Sequence, residues 1–187
     1  YNELAIKKSF REIFSTVLIP FLNQLGMLWQ TDSIHSSHEH FMTGLVRQKI
    51  ICNTERLMKT TPVKKDKTFI LFLPDNEIHE LGLLYINYEL LLRGYKTIYL
   101  GQTVSINSLK VLETTTDNLH FVSYFTVQPV RDKLESYVKQ FDNEIALSDS
   151  RKLWLLGYQT QYLDKEKLPD NIETFESIQA FVEKINI

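Results

Sequence analysis

The stretch TFILFLPDNEIHELG, from Thr68 to Gly82, decides the fold. It begins as an apolar run of strand length, is closed by Pro74 and continues into a helical pattern. His79 therefore falls, between carboxylates, in the loop that joins a buried strand to a helix. Ligands of open α/β sheets bind beyond the carboxyl ends of the strands. The pattern thus predicts that His79 meets a ligand.

The chain around this stretch, over residues 61–187, alternates short apolar strands with helices. The predicted strands are Thr68–Leu73, Lys96–Gly101, Leu119–Phe125, Lys152–Gly157 and Ile172–Phe175. The predicted helices are Glu80–Arg93, Ser105–Thr114, Pro129–Asn143 and Glu176–Ile185. This alternation predicts an α/β domain of flavodoxin or Rossmann type, with a parallel five-stranded sheet and helices on both faces.

Residues 1–60 predict a partial helical bundle. Leu4–Leu25 has the apolar spacing of an amphipathic helix, with a kink or restart at Pro20. A second long helix follows, for which Asp32 or Ser33 is the expected cap. Because two helices alone bury little surface, we expect further helices from upstream sequence or from a partner. The polar, basic stretch Lys59–Lys67 predicts a linker and the domain boundary.

Composition excludes several classes of protein. A net charge of -2 and a pI near 6.2 provide no basic surface for binding nucleic acid by this chain itself. The single cysteine, Cys52, excludes an internal disulfide framework and indicates a reducing, cytoplasmic location. No apolar run approaches the roughly 18 residues of a membrane span. The chain lacks an initiator Met and starts with a helical pattern, so we expect a fragment of a longer protein.

Residue chemistry alone leaves the role of His79 open. Neutral imidazole is a good transition-metal ligand, and a carboxylate on its other nitrogen fixes the tautomer. Glu77 can supply that carboxylate, and Gly82 leaves room for a bulky group to approach the backbone. An ordinary solvated loop histidine explains the same residues equally well.

A second group of candidate residues lies in the helical part, where nine residues separate Trp29 from the pair Glu39 and His40. His35 and His38 are close by, so that a zinc site formed by His35, His38 and His40 is conceivable, although no closed set of four ligands is visible. Taken alone, Trp29 is expected to pack in a core.

Together the two groups of residues resemble a known family. Glu77-x-His79-x-x-Gly82 resembles the D/E-x-H-x-x-G motif of cobalamin-binding domains. Ser123 and Gly157 fall where that family has its S-x-L serine and its Gly-Gly pair. The Trp29-x9-Glu39-His40 pattern is similar to that of the MerR-type, CarH-like photoreceptor regulators, and the resemblance extends from about Val17 onward.

The resemblance implies a cobalamin-binding sensory module of a transcriptional regulator, not an enzyme. His79 would be the lower axial ligand to cobalt in place of the cofactor's own base, with Glu77 and Ser123 hydrogen-bonding behind it. The displaced nucleotide tail would run past Gly82 and Gly157.

On the upper side, the resemblance implies that Trp29, Glu39 and His40 contact the adenosyl group of adenosylcobalamin, which lies between bundle and sheet. It further implies a dimer or tetramer, and DNA binding only through an N-terminal domain absent from this chain. Regulation would be a ligand-driven population shift.

Departures from the family pattern keep alternatives open. Gln30 follows Trp29, at the position where some photoreceptors of the family have the histidine that binds cobalt after illumination. Tyr158 replaces the second glycine of the Gly-Gly pair, and Phe125 replaces the leucine of S-x-L. The alternatives are a corrinoid carrier of a methyltransferase system, which would bind methylcobalamin, and a cobalamin sensor that does not respond to light.

Overall fold

The computed structural model describes residues 1–60, 63–114 and 118–185. The chain folds as two compact units, Tyr1–Arg56 and Leu57–Ile187. The boundary expected from the sequence, between residues 60 and 61, lies slightly further along the chain.

The N-terminal unit begins with a segmented helical region and not with the single kinked helix that the apolar spacing predicts. The helices are α1 (Asn2–Ala5), α2 (Phe10–Ile13), α3 (Ile19–Gln30) and the long α4 (Ser36–Thr60), which continues into the next unit. Ser9 forms a capping box with Glu12 and starts α2, and a π-helical segment, Phe14–Leu18, joins α2 to α3. The helical backbone continues unbroken from the π-helical segment into α3, and this segment lies where the missing N–H of Pro20 interrupts the α-helical hydrogen bonds.

The turn between α3 and α4 also differs from the prediction. Gly26 does not end the helix, and α3 continues to Gln30. Neither Asp32 nor Ser33 caps α4, because Asp32 adopts a left-handed conformation (φ 53°) and the N–H of Ser33 donates to Leu28 in α3. Both residues therefore belong to the turn that closes α3. The buried apolar side chains of this unit are Phe10, Ile13, Phe14, Leu25, Val46 and Ile50.

The C-terminal unit contains the predicted five-stranded sheet. Its strands are β1 (Lys64–Phe72), β2 (Tyr95–Gly101), β3 (Leu119–Tyr124), β4 (Arg151–Leu156) and β5 (Ile172–Thr174). All neighbouring pairs are parallel, in the order β2-β1-β3-β4-β5. The fold class predicted from the alternation is confirmed.

Helices cover both faces of this sheet. They are α5 (Leu81–Leu92), α6 (Ile106–Leu109, extended by a 3₁₀ turn over Lys110–Thr114), α7 (Leu134–Ile145) and α8 (Ile178–Ile185). Side chains of α6 and α7 form one apolar cluster with Ile70 and Phe72 of β1, while those of α5 and α8 form a second with Phe69 and Leu71. Alternate residues of one strand thus supply both cores.

Most of the remaining differences between the predicted and the observed elements concern the residues at which they begin. β1 begins at Lys64, inside the predicted linker, because Lys64 pairs with Tyr95 through the backbone and needs no apolar side chain to do so. The predicted helix at Pro129 begins later, with a 3₁₀ turn over Arg131–Lys133, since Val130 has an extended backbone (φ −60°, ψ 155°). Across the described ranges, no helix is long and apolar enough to cross a membrane.

Candidate functional site

The loop after β1 presents His79 at the carboxyl edge of the sheet. A tight turn follows Pro74, whose carbonyl accepts the N–H of Glu77 at 3.0 Å, and Asn76 adopts a left-handed conformation (φ 62°) within it. Asparagine tolerates this conformation better than most residues, which explains its place in the turn. The turn brings Glu77 back beneath the strand end and leaves His79 outside.

Glu77 is fully buried and is the centre of a dense hydrogen-bond network. Its Oε1 accepts the backbone N–H groups of Ile78 and His79, both at 2.9 Å, and lies 2.6 Å from Nδ1 of the His79 ring. Its Oε2 accepts the N–H groups of Val127 at 2.7 Å and Gln128 at 2.8 Å. One buried carboxylate therefore ties the loop after β1 to the loop after β3.

This network keeps Glu77 ionised and fixes the tautomer of His79. Burial alone would raise the pKa of Glu77, but the hydrogen bonds from Gln128, His79 and Val127 outweigh it and lower the pKa below its ordinary value. An ionised carboxylate only accepts, so Nδ1 of His79 must donate. In the neutral ring, Nε2 then carries a lone pair, and the side chain is 53% exposed. Such a nitrogen can bind a transition metal or accept a proton.

Gly157, which follows β4, allows the loops after β3 and β4 to approach each other closely. Its φ of +100° is a conformation that favours glycine, and a Cβ there would overlap the backbone of Phe125. The N–H of Phe125 donates to Leu156 at 2.7 Å, and Gln159 donates its backbone N–H to Phe125 and its side-chain amide to Val127. The glycine is thus required by the fold whether or not a ligand is bound.

Ser123 is fully buried in β3, at the same edge. Its hydroxyl donates to the carbonyl of Phe72 in β1 at 2.9 Å, and so joins two central strands. Of the two side chains expected behind His79, Glu77 bonds to its ring, whereas Ser123 does not, and the N–H groups of Val127 and Gln128 bond to the other oxygen of Glu77.

Gly82, in the first turn of α5, contacts the ring of Tyr124. A Cβ at Gly82 would lie 2.7 Å from Cε2 and 2.8 Å from Cζ of that ring, closer than side-chain carbons approach. Burial raises the pKa of the Tyr124 hydroxyl. The space that the motif glycine leaves open is therefore filled by an aromatic side chain of the same chain.

A cavity of about 460 Å³ opens beyond Tyr124, at the carboxyl ends of β3, β4 and β5. Leu156, Gly157 and Phe175 contribute to its lining, together with polar groups that include Thr160. Its volume lies within the range of small-molecule sites, roughly 300–1,000 Å³.

The N-terminal unit has a second cavity, of about 750 Å³, around Trp29. His35 and His38 share its lining, and the indole of Trp29 is half exposed, so that the expected core packing is only partial. Glu39 and His40 are not among the lining residues. They form a pair on α4, with Oε2 of Glu39 3.0 Å from Nδ1 of His40.

Clustered metal ligands are absent from the part of the chain that the structure describes, where no three His, Cys, Asp or Glu side chains are grouped to hold an ion. The zinc site considered for His35, His38 and His40 is therefore not formed. A metal that other ligands already hold needs only one further donor, and Nε2 of His79 is a nitrogen of the type that can supply it.

Comparisons with known proteins support both the fold and the sequence resemblance. No family model matches the chain. The HTH-type transcriptional repressor CarH of Myxococcus xanthus is 28% identical over 96 residues, which are 51% of this chain and 31% of the repressor. The chain resembles a CarH-type regulator. The match thus spans less than a third of that protein's length.

Two solved structures are similar to the chain. The monomethylamine corrinoid protein of Methanosarcina barkeri superposes with a TM-score of 0.69 at 15% identity, over 99% of this chain and 86% of that one. A cobalamin-binding protein of Desulfitobacterium hafniense gives a TM-score of 0.49 at 15% identity, over 88% and 76% of the two chains. The first likeness confirms the fold.

Several site residues were not predicted from the sequence. The N–H groups of Val127 and Gln128 leave no side-chain signal in the sequence. Tyr124 is the middle residue of the S-x-L element, and its size alone could have indicated a crowded groove. Tyr137 has a buried hydroxyl without a hydrogen-bond partner among the described residues, and burial, with a contribution from the Asp75 charge, raises its pKa.

Proposed function

We propose that this chain is the cobalamin-binding sensory module of a transcriptional regulator, with His79 as the lower axial ligand to cobalt. The observation that supports this most strongly is the Glu77–His79 pair. A buried, ionised carboxylate fixes the ring, and the free Nε2 faces outward at the ligand-binding edge of the sheet. The CarH resemblance supports a corrinoid over other metal cofactors.

Each residue of the pair has a separate task. His79 would donate its Nε2 lone pair, and Glu77 holds the ring in its orientation and tautomer. Val127 and Gln128 hold Glu77 in place through their N–H groups, so the donor is positioned before any ligand arrives. When bound, cobalamin supplies a cobalt–carbon bond that light can break. His79 would hold the cobalt in place of the cofactor's own base.

The residues proposed to contact the upper ligand lie in the N-terminal unit. We propose adenosylcobalamin, with Trp29, Glu39 and His40 contacting the adenosyl group, in preference to methylcobalamin or another cobalamin. The half-exposed indole of Trp29 beside an open cavity supports this assignment. Gln30 lies next to Trp29 at the end of α3, so a second histidine ligand after illumination would have to come from another position.

The output we propose is a change of assembly and not turnover. Loss of the upper ligand would shift the population of a homo-oligomer, dimer or tetramer, and thereby control DNA binding by a part of the protein outside this chain. The related repressor is more than three times as long as the matched segment, which leaves room for such a part.

Spectroscopic titration tests this proposal. Purified chain is mixed in the dark with adenosylcobinamide, which has no base of its own, and the absorption spectrum is followed for the change from the base-off form to the nitrogen-ligated form. We expect this change with the native chain and its loss with His79→Ala, restored in part by free imidazole. Ser150→Ala, at the amino edge of the sheet and in neither cavity lining, is the control and should behave as the native chain.

An unchanged spectrum on mixing, or identical spectra of the native chain and His79→Ala, would contradict ligation by His79. Size-exclusion profiles before and after illumination then test the sensory role. A change in elution supports it. Photolysis with unchanged elution would contradict the light-driven switch and favour a carrier protein or a light-independent sensor.

A further inference from the structure

Tyr124 lies between the loop that carries His79 and the cavity at the carboxyl ends of β3, β4 and β5. It is the last residue of β3, and β3 lies between β1, which leads to His79, and β4 and β5, which border the 460 Å³ cavity. Its ring lies directly on the backbone of Gly82, three residues after His79, and also forms part of the cavity lining. One aromatic side chain thus separates the loop of His79 from the cavity.

The geometry at Gly82 shows how tightly this separation is made. Three ring atoms of Tyr124 lie between 2.7 and 3.1 Å from the position of a Cβ at that residue. A flat ring in contact with a helix backbone leaves no channel for a chain of atoms between them. While Tyr124 holds this rotamer, a ligand on His79 cannot extend into the cavity between Gly82 and the strand end.

The cavity itself suits a flat group with polar substituents. Leu156 and Phe175 provide apolar surface, whereas Thr160, Thr174 and Ser177 provide hydroxyl groups. Lys165 also lines it, paired with Glu176 at 3.1 Å. A cobalamin held by His79 would present its nucleotide tail on the ligated face, and this tail would need a place beside the loop that carries His79.

We propose that Tyr124 is a specificity-determining gate, so that a corrinoid with a nucleotide tail binds fully only after its ring leaves Gly82. This inference rests on the proposed ligation by His79. A tail-less corrinoid reaches the same Nε2 without moving Tyr124. If the open rotamer is the minor state, the apparent affinity for the tailed ligand falls in proportion to its population, by about tenfold for an open fraction of roughly one tenth.

The test compares two ligands that share an upper group and differ only in the tail, adenosylcobalamin and adenosylcobinamide. Both are equilibrated by dialysis in the dark with the full chain and with Tyr124→Ala, Tyr124→Leu and Tyr124→Phe, and the bound ligand is measured by its absorbance. The ratio of the two dissociation constants is compared between variants, which cancels the cost of detaching the base from cobalt in free cobalamin.

We expect Tyr124→Ala to shift this ratio about tenfold in favour of adenosylcobalamin while leaving adenosylcobinamide binding unchanged. Tyr124→Phe, which keeps the ring, should retain the native ratio. Tyr124→Leu also removes the ring and replaces Tyr124→Ala if that variant fails to fold. A native ratio in the ring-less variant would overturn the gate.

Failure of the proposed function is distinguishable from failure of the gate. If His79 is not the ligand, adenosylcobinamide binding will be the same in the native chain and in His79→Ala. If only the gate is wrong, adenosylcobinamide will depend on His79, and the ratio of the two affinities will not depend on Tyr124.

Discussion

Replacing Glu77 by glutamine tests how much the buried carboxylate contributes to the fold. The amide keeps the shape but has one acceptor oxygen in place of two. If its oxygen faces Ile78 and His79, its NH₂ group meets the N–H groups of Val127 and Gln128, now 2.7 and 2.8 Å from Oε2. The opposite orientation would leave three donors without an acceptor, so the first is favoured.

The expected cost follows from those two donors. A buried donor without an acceptor costs about 1–3 kcal/mol, and Val127 is partly exposed, which favours the lower half of the range for its N–H. We expect Glu77→Gln to lower the free energy of unfolding by about 2–5 kcal/mol.

Tryptophan fluorescence can measure this loss of stability in the C-terminal unit alone. The chain has two tryptophans, Trp29 in the N-terminal unit and Trp154 buried in the sheet. In a Trp29→Phe background, urea unfolding reports on Trp154 alone. Glu80→Gln is the matched control and should cost less, because the Tyr99 hydroxyl that donates to Glu80 at 2.9 Å can donate equally to an amide oxygen. A loss at Glu77 below about 0.5 kcal/mol, the size of an ordinary surface substitution, would refute the reasoning.

Three further predictions concern the same edge of the sheet. Because the folded-state pKa of Glu77 is lowered, its contribution is complete above the ordinary value near 4.5 and is lost as pH falls through the lowered pKa. Acidification from neutral pH to pH ~3 should therefore lower the urea midpoint more in the native chain than in Glu77→Gln. Equal decreases in the two proteins would contradict this. Gly157→Ala should cost about 3 kcal/mol or prevent folding, since its Cβ would overlap the backbone of Phe125 at a φ of +100°; a thermal midpoint like that of the native chain would show the reasoning to be wrong. Ser123→Ala should cost about 1 kcal/mol by urea unfolding, the value of its hydrogen bond to Phe72, and a neutral result would remove that role.

The fold was predictable because its signals are local. Each strand core, such as Phe69–Leu73, is a short apolar run bounded by turn residues, and period and length together distinguish it from a helix. The extension of β1 back to Lys64 was not predictable, since backbone pairing with Tyr95 carries no side-chain pattern. The break at Ser9 was missed although its partner Glu12 completes a capping-box sequence.

The site was predictable in part for the same reason. Glu77 and His79 are two residues apart, so their hydrogen bond follows from a short loop. The two N–H groups from the loop after β3 lie 50 and 51 residues further along, and only the assembled sheet brings them to Glu77. The ring of Tyr124 on Gly82 is likewise a contact between two elements, and sequence spacing could not indicate which way the ring turns.

Electron paramagnetic resonance of the cobalt(II) form tests the central claim, ligation by His79, most directly. The unpaired electron couples to the axial nitrogen, so the line pattern identifies the donor. Protein in which histidine carries the heavy nitrogen isotope is mixed with unlabelled cob(II)alamin. The account predicts that the triplet splitting from ordinary nitrogen becomes a doublet, and that the doublet is lost in His79→Ala. A triplet that persists with labelled protein would show that the cofactor's own base remains on cobalt, and would contradict the account.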